Sequence, residues 1–247
     1  MPQTYLQEIF SSVQGEGPYV GCRQIFIRFA GCNWSCAFCD TPSNEKPEVF
    51  TIENSPGQRD FTTHTNPMSA EALSAILKER YKITEHHSIS FTGGEPLLQT
   101  EFLATLIPFI KGTRQGIYLE TNGTLPEKLA NIIDSIDIVS MDIKLQSSTG
   151  IVTPWDLHHR FLQVAAQRKV YVKIVITSET AVKEIQRAAE LIGRVDSGIE
   201  LVLQPVTPKG GCQIPAVDQI LKLQQIALDH LANVRVIPQT HLMMGQL

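Results

Sequence analysis

Residues 24–41 read Gln-Ile-Phe-Ile-Arg-Phe-Ala-Gly-Cys-Asn-Trp-Ser-Cys-Ala-Phe-Cys-Asp-Thr. The opening run, Gln24–Ala30, is β-branched and aromatic and predicts a strand. Gly31 ends it, and Cys32, Cys36 and Cys39 follow on one loop with the spacing C-x3-C-x2-C. Three thiolates this close can wrap one metal centre. They cannot saturate four irons, because a fully protein-ligated cluster takes four cysteines. One iron would then stay open to a small chelating ligand. The other reading is structural zinc, which prefers four tetrahedral ligands, usually in two separated pairs. Zinc would need Cys22 or a histidine to complete the set.

Cys22 and Cys212 bring the cysteines to five. In a reducing compartment, an odd number with three clustered points to metal or catalysis rather than a disulfide framework. Both singletons read as structural or surface residues.

Outward from the loop, the chain has 247 residues, 43% apolar and 19% charged, with net charge −4. A nucleic-acid footprint is normally strongly basic, and this composition offers none. No apolar run approaches the roughly 18 residues of a membrane helix. Met1-Pro2-Gln3-Thr4 has neither a basic nor an apolar leader region. The expectation is a cytoplasmic protein with no membrane or nucleic-acid partner.

Further strands are predicted at His87–Phe91, Gly116–Glu120, Ile136–Met141, Val170–Thr177, Ile199–Leu203 and Val234–Ile237. Amphipathic stretches lie between them. One starts at the N-cap Ser69 and sets Leu73, Ile76, Leu77 and Tyr81 on a stripe. Others cover Leu98–Lys111, Pro126–Asp134, Pro154–Gln167, Glu179–Ile192 and Pro215–Leu231. Alternation of strands and helices argues for βαβ units and a parallel α/β sheet. An open or partial (β/α) barrel of about six strands is expected, with a doubly wound sheet as the alternative. The chain reads as a single domain over residues 1–247. Thr41–Met68, rich in Pro, Asn, Thr and Ser, breaks the rhythm as a loop-rich insertion of about residues 41–68.

A second motif, Thr92-Gly93-Gly94-Glu95-Pro96, closes the second of these strands. Paired glycines let backbone approach a ligand closely. C-x3-C-x2-C with an aromatic before its last cysteine, together with this GGEP segment, resembles the radical S-adenosylmethionine (SAM) superfamily. That resemblance implies a 4Fe-4S cluster on Cys32, Cys36 and Cys39, and SAM bound at its open iron. SAM contacts are implied at Phe38, Asp40, Thr41 and Gly94, at Ser140, Met141 and Asp142, and at Gln204, Pro205, Val206 and Thr207.

The N-terminal residues narrow the resemblance. Glu8–Gly17, with its Gln14-Gly15-Glu16-Gly17 core, then Arg28, Cys39-Asp40-Thr41 and Gln239-Thr240-His241, are similar to the 7-carboxy-7-deazaguanine synthase family. The family implies that Val13, Gln14, Gly15 and Glu16 recognise a pterin. Arg28 would pair with its carboxylate, a task suited to a planar guanidinium. Thr92, His241 and Leu247 would also face substrate, and Thr41 would be the protein ligand of a magnesium ion. The implied reaction converts 6-carboxy-5,6,7,8-tetrahydropterin to 7-carboxy-7-deazaguanine with loss of ammonia. In it the reduced cluster cleaves SAM, and the resulting radical takes a substrate hydrogen that is later returned. An electron donor such as flavodoxin or ferredoxin and a homodimer are implied as well. The family often has Ser-Pro-Lys where this chain reads Ser140-Met141-Asp142-Ile143-Lys144, and often has Lys where Leu242 stands. A radical SAM activase of a glycyl-radical enzyme shares the cysteine and GGEP motifs, but has no need of the Gln14–Arg28 set. A non-enzymatic metal-binding interaction module is the remaining alternative.

Overall fold

A computed structural model describes residues 2–39, 41 and 46–246. Twelve strands are found there: β1 (Gln3–Thr4), β2 (Leu6–Val13), β3 (Arg23–Phe29), β4 (Val49–Glu53), β5 (Phe61–Thr65), β6 (Met68–Ser69), β7 (Ser88–Gly93), β8 (Ile117–Thr121), β9 (Ile138–Asp142), β10 (Lys169–Ile176), β11 (Glu200–Pro205) and β12 (Val234–Val236). The helices are α1 (Ala70–Arg80), α2 (Thr100–Leu106), α3 (Pro126–Ala130), α4 (Gln146–Thr149), α5 (Trp155–Ala165), α6 (Val182–Val195), α7 (Val217–Leu228) and α8 (Thr240–Met243). All seven strands expected from the sequence form, within one or two residues of their expected limits.

Ten strands make one sheet in the order β12-β11-β10-β9-β8-β7-β3-β2-β4-β5. From β3 to β12 every neighbouring pair is parallel, giving seven parallel strands rather than about six. Their order never reverses. A doubly wound sheet needs a reversal at its switch point, so the winding is that of a partial barrel, open at both edges.

Residues 41–68 hold more structure than a loop. β4 and β5 pair antiparallel as a hairpin, and β4 joins the sheet by pairing parallel to β2. β5 carries no clear alternation because Phe61–Thr65 is almost wholly exposed, while β4 buries Phe50 and Ile52. β2 pairs antiparallel with β3 and ends with Val13 opposite Arg23, at the amino end of that strand.

Period-2 alternation sorts the side chains of the parallel strands. Ile25, Ile27, Ile89, Phe91, Leu119, Val139, Val172, Ile174, Leu201 and Leu203 join one buried apolar core shared with the helices. The Ser69 hydroxyl caps α1 by accepting from Ala72 N–H at 3.3 Å, and Leu73, Leu77 and Tyr81 face the core as the stripe predicts. Such a cap contributes about 1 kcal/mol. The opposite face of the strands lines the barrel interior. There Tyr118, Ile138, Tyr171 and Val202 cluster, with Tyr19 and Ile237 packed against them. Two residues further along each strand the lining turns polar: Glu120, Ser140, Lys173 and Gln204. The apolar cluster therefore plugs the amino end of the barrel and leaves the carboxyl end open, where barrel enzymes build their sites.

Candidate active site

A cavity of about 700 Å³ opens at the carboxyl ends of the strands. Small-molecule sites span about 300–1,000 Å³. Its wall includes Cys32, Cys36 and Cys39, together with Phe38, Thr41 and Gly94. It also includes Val13, Gln14, Gly15, Glu16, Arg28, Thr92 and His241. Ser140, Asp142, Gln204, Val206 and Thr207 complete the expected set. Residues read separately along more than 220 positions thus meet at one surface.

Two expected contacts do not. Met141 is buried in the apolar core on the other face of β9, because alternation sends it opposite to Ser140 and Asp142. Its side chain is corrected from a cofactor contact to a core residue. Pro205 lies between Gln204 and Val206 and does not line the cavity, by the same alternation at the end of β11. Asp40 and Leu247 lie outside the described residues.

The cysteine loop suits a group that takes three thiolates. None of the five cysteines is in a disulfide. Among the described residues no three His, Cys, Asp or Glu side chains close on a single metal ion. The three cysteines share the cavity wall, and a fourth thiol is not among its lining. Burial pushes the Cys36 thiol up to about 11, against the pull of Lys144, and also raises Cys32. Bound metal deprotonates coordinating thiols outright.

The GGEP segment holds this loop in place. The Glu95 N–H donates to the Gly31 carbonyl at 2.8 Å, and Gly94 N–H to Phe29 at 3.0 Å. A methyl group on Gly94 would overlap the Gly31 carbonyl. The Glu95 side chain is fully buried and faces away from the cavity. It accepts from Leu97 N–H at 3.0 Å, Thr121 Oγ1 at 2.9 Å and Asn122 N–H at 2.8 Å. Burial pushes its carboxyl up to about 7 despite these donors. Asn122, so held, donates from Nδ2 to Asn33 Oδ1 at 2.8 Å and lies 3.9 Å from Cys32 Sγ. His158 fastens the next loop. Its Nδ1 donates to the Gly123 carbonyl at 3.0 Å and its Nε2 accepts from Lys144 N–H at 3.2 Å. Burial lowers His158 to about 4, so the ring is neutral.

Across the cavity lies a charged network. Lys173 is ion-paired with Glu16, which also accepts from Gln239 Nε2 at 2.7 Å and Gln204 Nε2 at 3.3 Å. Burial alone would raise the Glu16 carboxyl, but Lys173, the Gln239 amide and His241 bring it down to about 2. Burial would also lower Lys173, yet Glu16, Asp142 and Glu120 outweigh it and hold the ammonium charged. Asp142 joins the network 3.7 Å from Lys173 and 2.7 Å from Lys144, whose ammonium lies 5.3 Å from the Phe38 ring centre. Glu120 accepts from Gln14 Nε2 at 2.8 Å and Thr92 Oγ1 at 2.5 Å. Burial and the like charge of Glu16 raise it. At the rim, Arg28 Nε pairs with Glu8 at 2.7 Å.

Glu120, Asn122, Lys144 and Lys173 line the cavity without having been singled out from sequence. A lone charge inside an apolar run, as Lys173 is within Lys169–Ile176, is the signal that could have found it.

The Radical SAM superfamily model matches residues 26–162. The 7-carboxy-7-deazaguanine synthase of Geobacter sulfurreducens is 45% identical over 248 residues, spanning 100% of this chain and 99% of that protein. The synthase of Archaeoglobus fulgidus is 38% identical, over 97% of each chain. Among solved structures, QueE from Escherichia coli superposes with a TM-score of 0.60 at 23% identity, covering 97% of this chain and 95% of that one. That likeness speaks for the fold.

Proposed function

The chain belongs to the 7-carboxy-7-deazaguanine synthase family of radical SAM enzymes, and we propose that its cavity converts 6-carboxy-5,6,7,8-tetrahydropterin to 7-carboxy-7-deazaguanine with release of ammonia. The observation that carries this reading is the meeting of three free cysteines, a guanidinium and a carboxylate network around one cavity of small-molecule size. Full-length similarity to these synthases favours a small-molecule substrate over the activation of a partner protein.

Cys32, Cys36 and Cys39 would hold the 4Fe-4S cluster, with SAM against Phe38, Gly94, Ser140, Asp142 and the Gln204–Thr207 segment. When bound, the cluster and SAM supply reversible hydrogen-atom abstraction. The protein's own residues bind, orient and shield. Arg28, steadied by Glu8, takes the substrate carboxylate through a bidentate-capable guanidinium. Glu16 is charged and meets the N–H donors of the pterin edge, with Gln14, Gly15 and Val13 beside it. Thr92, already donating to Glu120, fixes the opposite side of the ring, and His241 covers Gly15. Thr41 offers one oxygen to magnesium, a hard cation that keeps most of its shell as water and substrate oxygens. Asp40 and Leu247 complete the expected contacts from outside the described residues.

Two copies pairing is supported by α7, which leaves Val217, Leu221 and Leu228 exposed along one stripe. The reductant is a flavodoxin- or ferredoxin-type donor. No helix among the described residues is long and apolar enough to cross a membrane, and the setting proposed is the cytoplasm.

Anaerobic incubation of the reduced protein with SAM and the pterin tests the reaction. Mass spectrometry is expected to find 7-carboxy-7-deazaguanine and an equal amount of ammonia. Neither product from a protein with its cluster intact would refute the substrate.

A further inference from the structure

The β4–β5 hairpin reaches the substrate wall through one side chain. Its connecting loop folds around Glu53, a buried carboxylate whose Oε1 accepts from Gly57 N–H and Arg59 N–H, each at 3.0 Å. Arg59 sits at φ +57°, a left-handed conformation uncommon for a residue with a Cβ. Such a conformation persists where its surroundings over-determine it, and here the surrounding group is Glu53. From this position Arg59 Nη2 donates to the Gly245 carbonyl at 2.9 Å, 186 residues along the chain.

Gly245 belongs to a short folded tail. Met244 and Gln246 donate their N–H groups to the His241 carbonyl, and Gly245 donates to Leu242. Ser12 Oγ donates to Gln246 Oε1 at 3.1 Å. At the other end of the tail, Thr240 donates to the Gly15 carbonyl from its N–H at 2.9 Å and its hydroxyl at 3.1 Å. That lays His241 on Gly15 so closely that a methyl group there would overlap the imidazole. Gly15, His241 and Leu242 line the cavity. A continuous line of contacts therefore runs from Glu53 through Arg59 and the tail to the substrate-side segment.

We propose that Arg59 is a positioning residue for substrate binding: the hairpin is a strap whose guanidinium seats residues 240–246 on the Val13–Glu16 segment and so completes one wall of the cavity. Arg59 touches no reacting atom. A single exposed hydrogen bond contributes modestly, so its effect falls on how often the tail is seated rather than on the global fold, as local opening does. The kinetic consequence rests on the pterin reading above; the strap itself does not.

The test compares wild type, Arg59→Ala and Arg59→Lys, each loaded anaerobically with its cluster. Hydrogen exchange at the Met244, Gly245 and Gln246 amides is expected to speed up in Arg59→Ala. KM for the pterin is expected to rise about three- to tenfold, the range one such hydrogen bond supports, with kcat and bound iron unchanged. Arg59→Lys, retaining a donor, is expected to recover part of both effects. Unchanged exchange overturns the strap, whether or not the pterin is turned over. Faster exchange with unchanged KM, or a fall in kcat together with iron, overturns the role in substrate binding. Should the wild type leave the pterin untouched, the substrate reading fails, and exchange alone decides the strap.

Discussion

Lys173 on β10 is ion-paired with Glu16, 157 residues earlier in the chain, and both side chains are less than 20% exposed. β2 and β3 bring the N-terminal loop to the cavity, and β10 supplies the cation. Each group is charged because the other is there.

Lys173→Met leaves the Glu16 carboxylate buried without its cation. Breaking a buried pair from one side costs about 3–5 kcal/mol, and the denaturant midpoint is expected to fall accordingly. Glu16→Gln combined with Lys173→Met removes both charges and is expected to recover part of the loss. A double variant as unstable as Lys173→Met alone would contradict this coupling.

Two carboxylates give pH dependences of opposite sign. Glu16 titrates at about 2 in the folded protein, below its ordinary 4.5. Its contribution is therefore complete above 4.5 and fades as pH falls toward 2. Glu95 is raised from 4.5 to about 7. The folded state favours its protonated form, so the associated stability is present below 4.5 and is lost as pH rises through 7. Unfolding curves of Glu16→Gln and Glu95→Gln, each subtracted from wild type across this range, are expected to slope in opposite directions. Parallel slopes would contradict the assignment.

Gly94→Ala is expected to act on the cysteine loop without touching a cysteine. Its methyl group meets the backbone carbonyl of Gly31, which cannot rotate away as a side chain can. The loop must shift, and with it Cys32. Iron retained after anaerobic reconstitution is expected to fall severalfold, while the sheet keeps its far-ultraviolet circular dichroism. Full iron content in this variant would show that the close approach is dispensable.

Much of this architecture was legible because parallel strands are buried on both faces and read as short β-branched runs. β7 to β12 announced themselves in that way. β2 did not, because its polar residues Glu8, Ser11 and Ser12 find their partners Arg28, His86 and Gln246 only through the fold. The β4–β5 hairpin was hidden by exposure: Phe61-Thr62-Thr63-His64-Thr65 has nothing to bury. In the site, residues carried by dense motifs were visible, and those brought in singly were not. Lys173 has no partner within its own segment, and Glu16 becomes its counter-ion only through the fold. The Met141 side chain shows the converse, because a run of three positions on a strand sends its middle side chain to the other face.

The central claim is that three thiolates hold the metal and leave one iron for SAM. Electron paramagnetic resonance of the reduced anaerobic protein, recorded before and after SAM is added, tests it most directly. About four irons per chain and a spectrum that changes on adding SAM are predicted, with the signal lost in Cys36→Ala. A spectrum indifferent to SAM, or a metal that survives Cys36→Ala, would contradict the account.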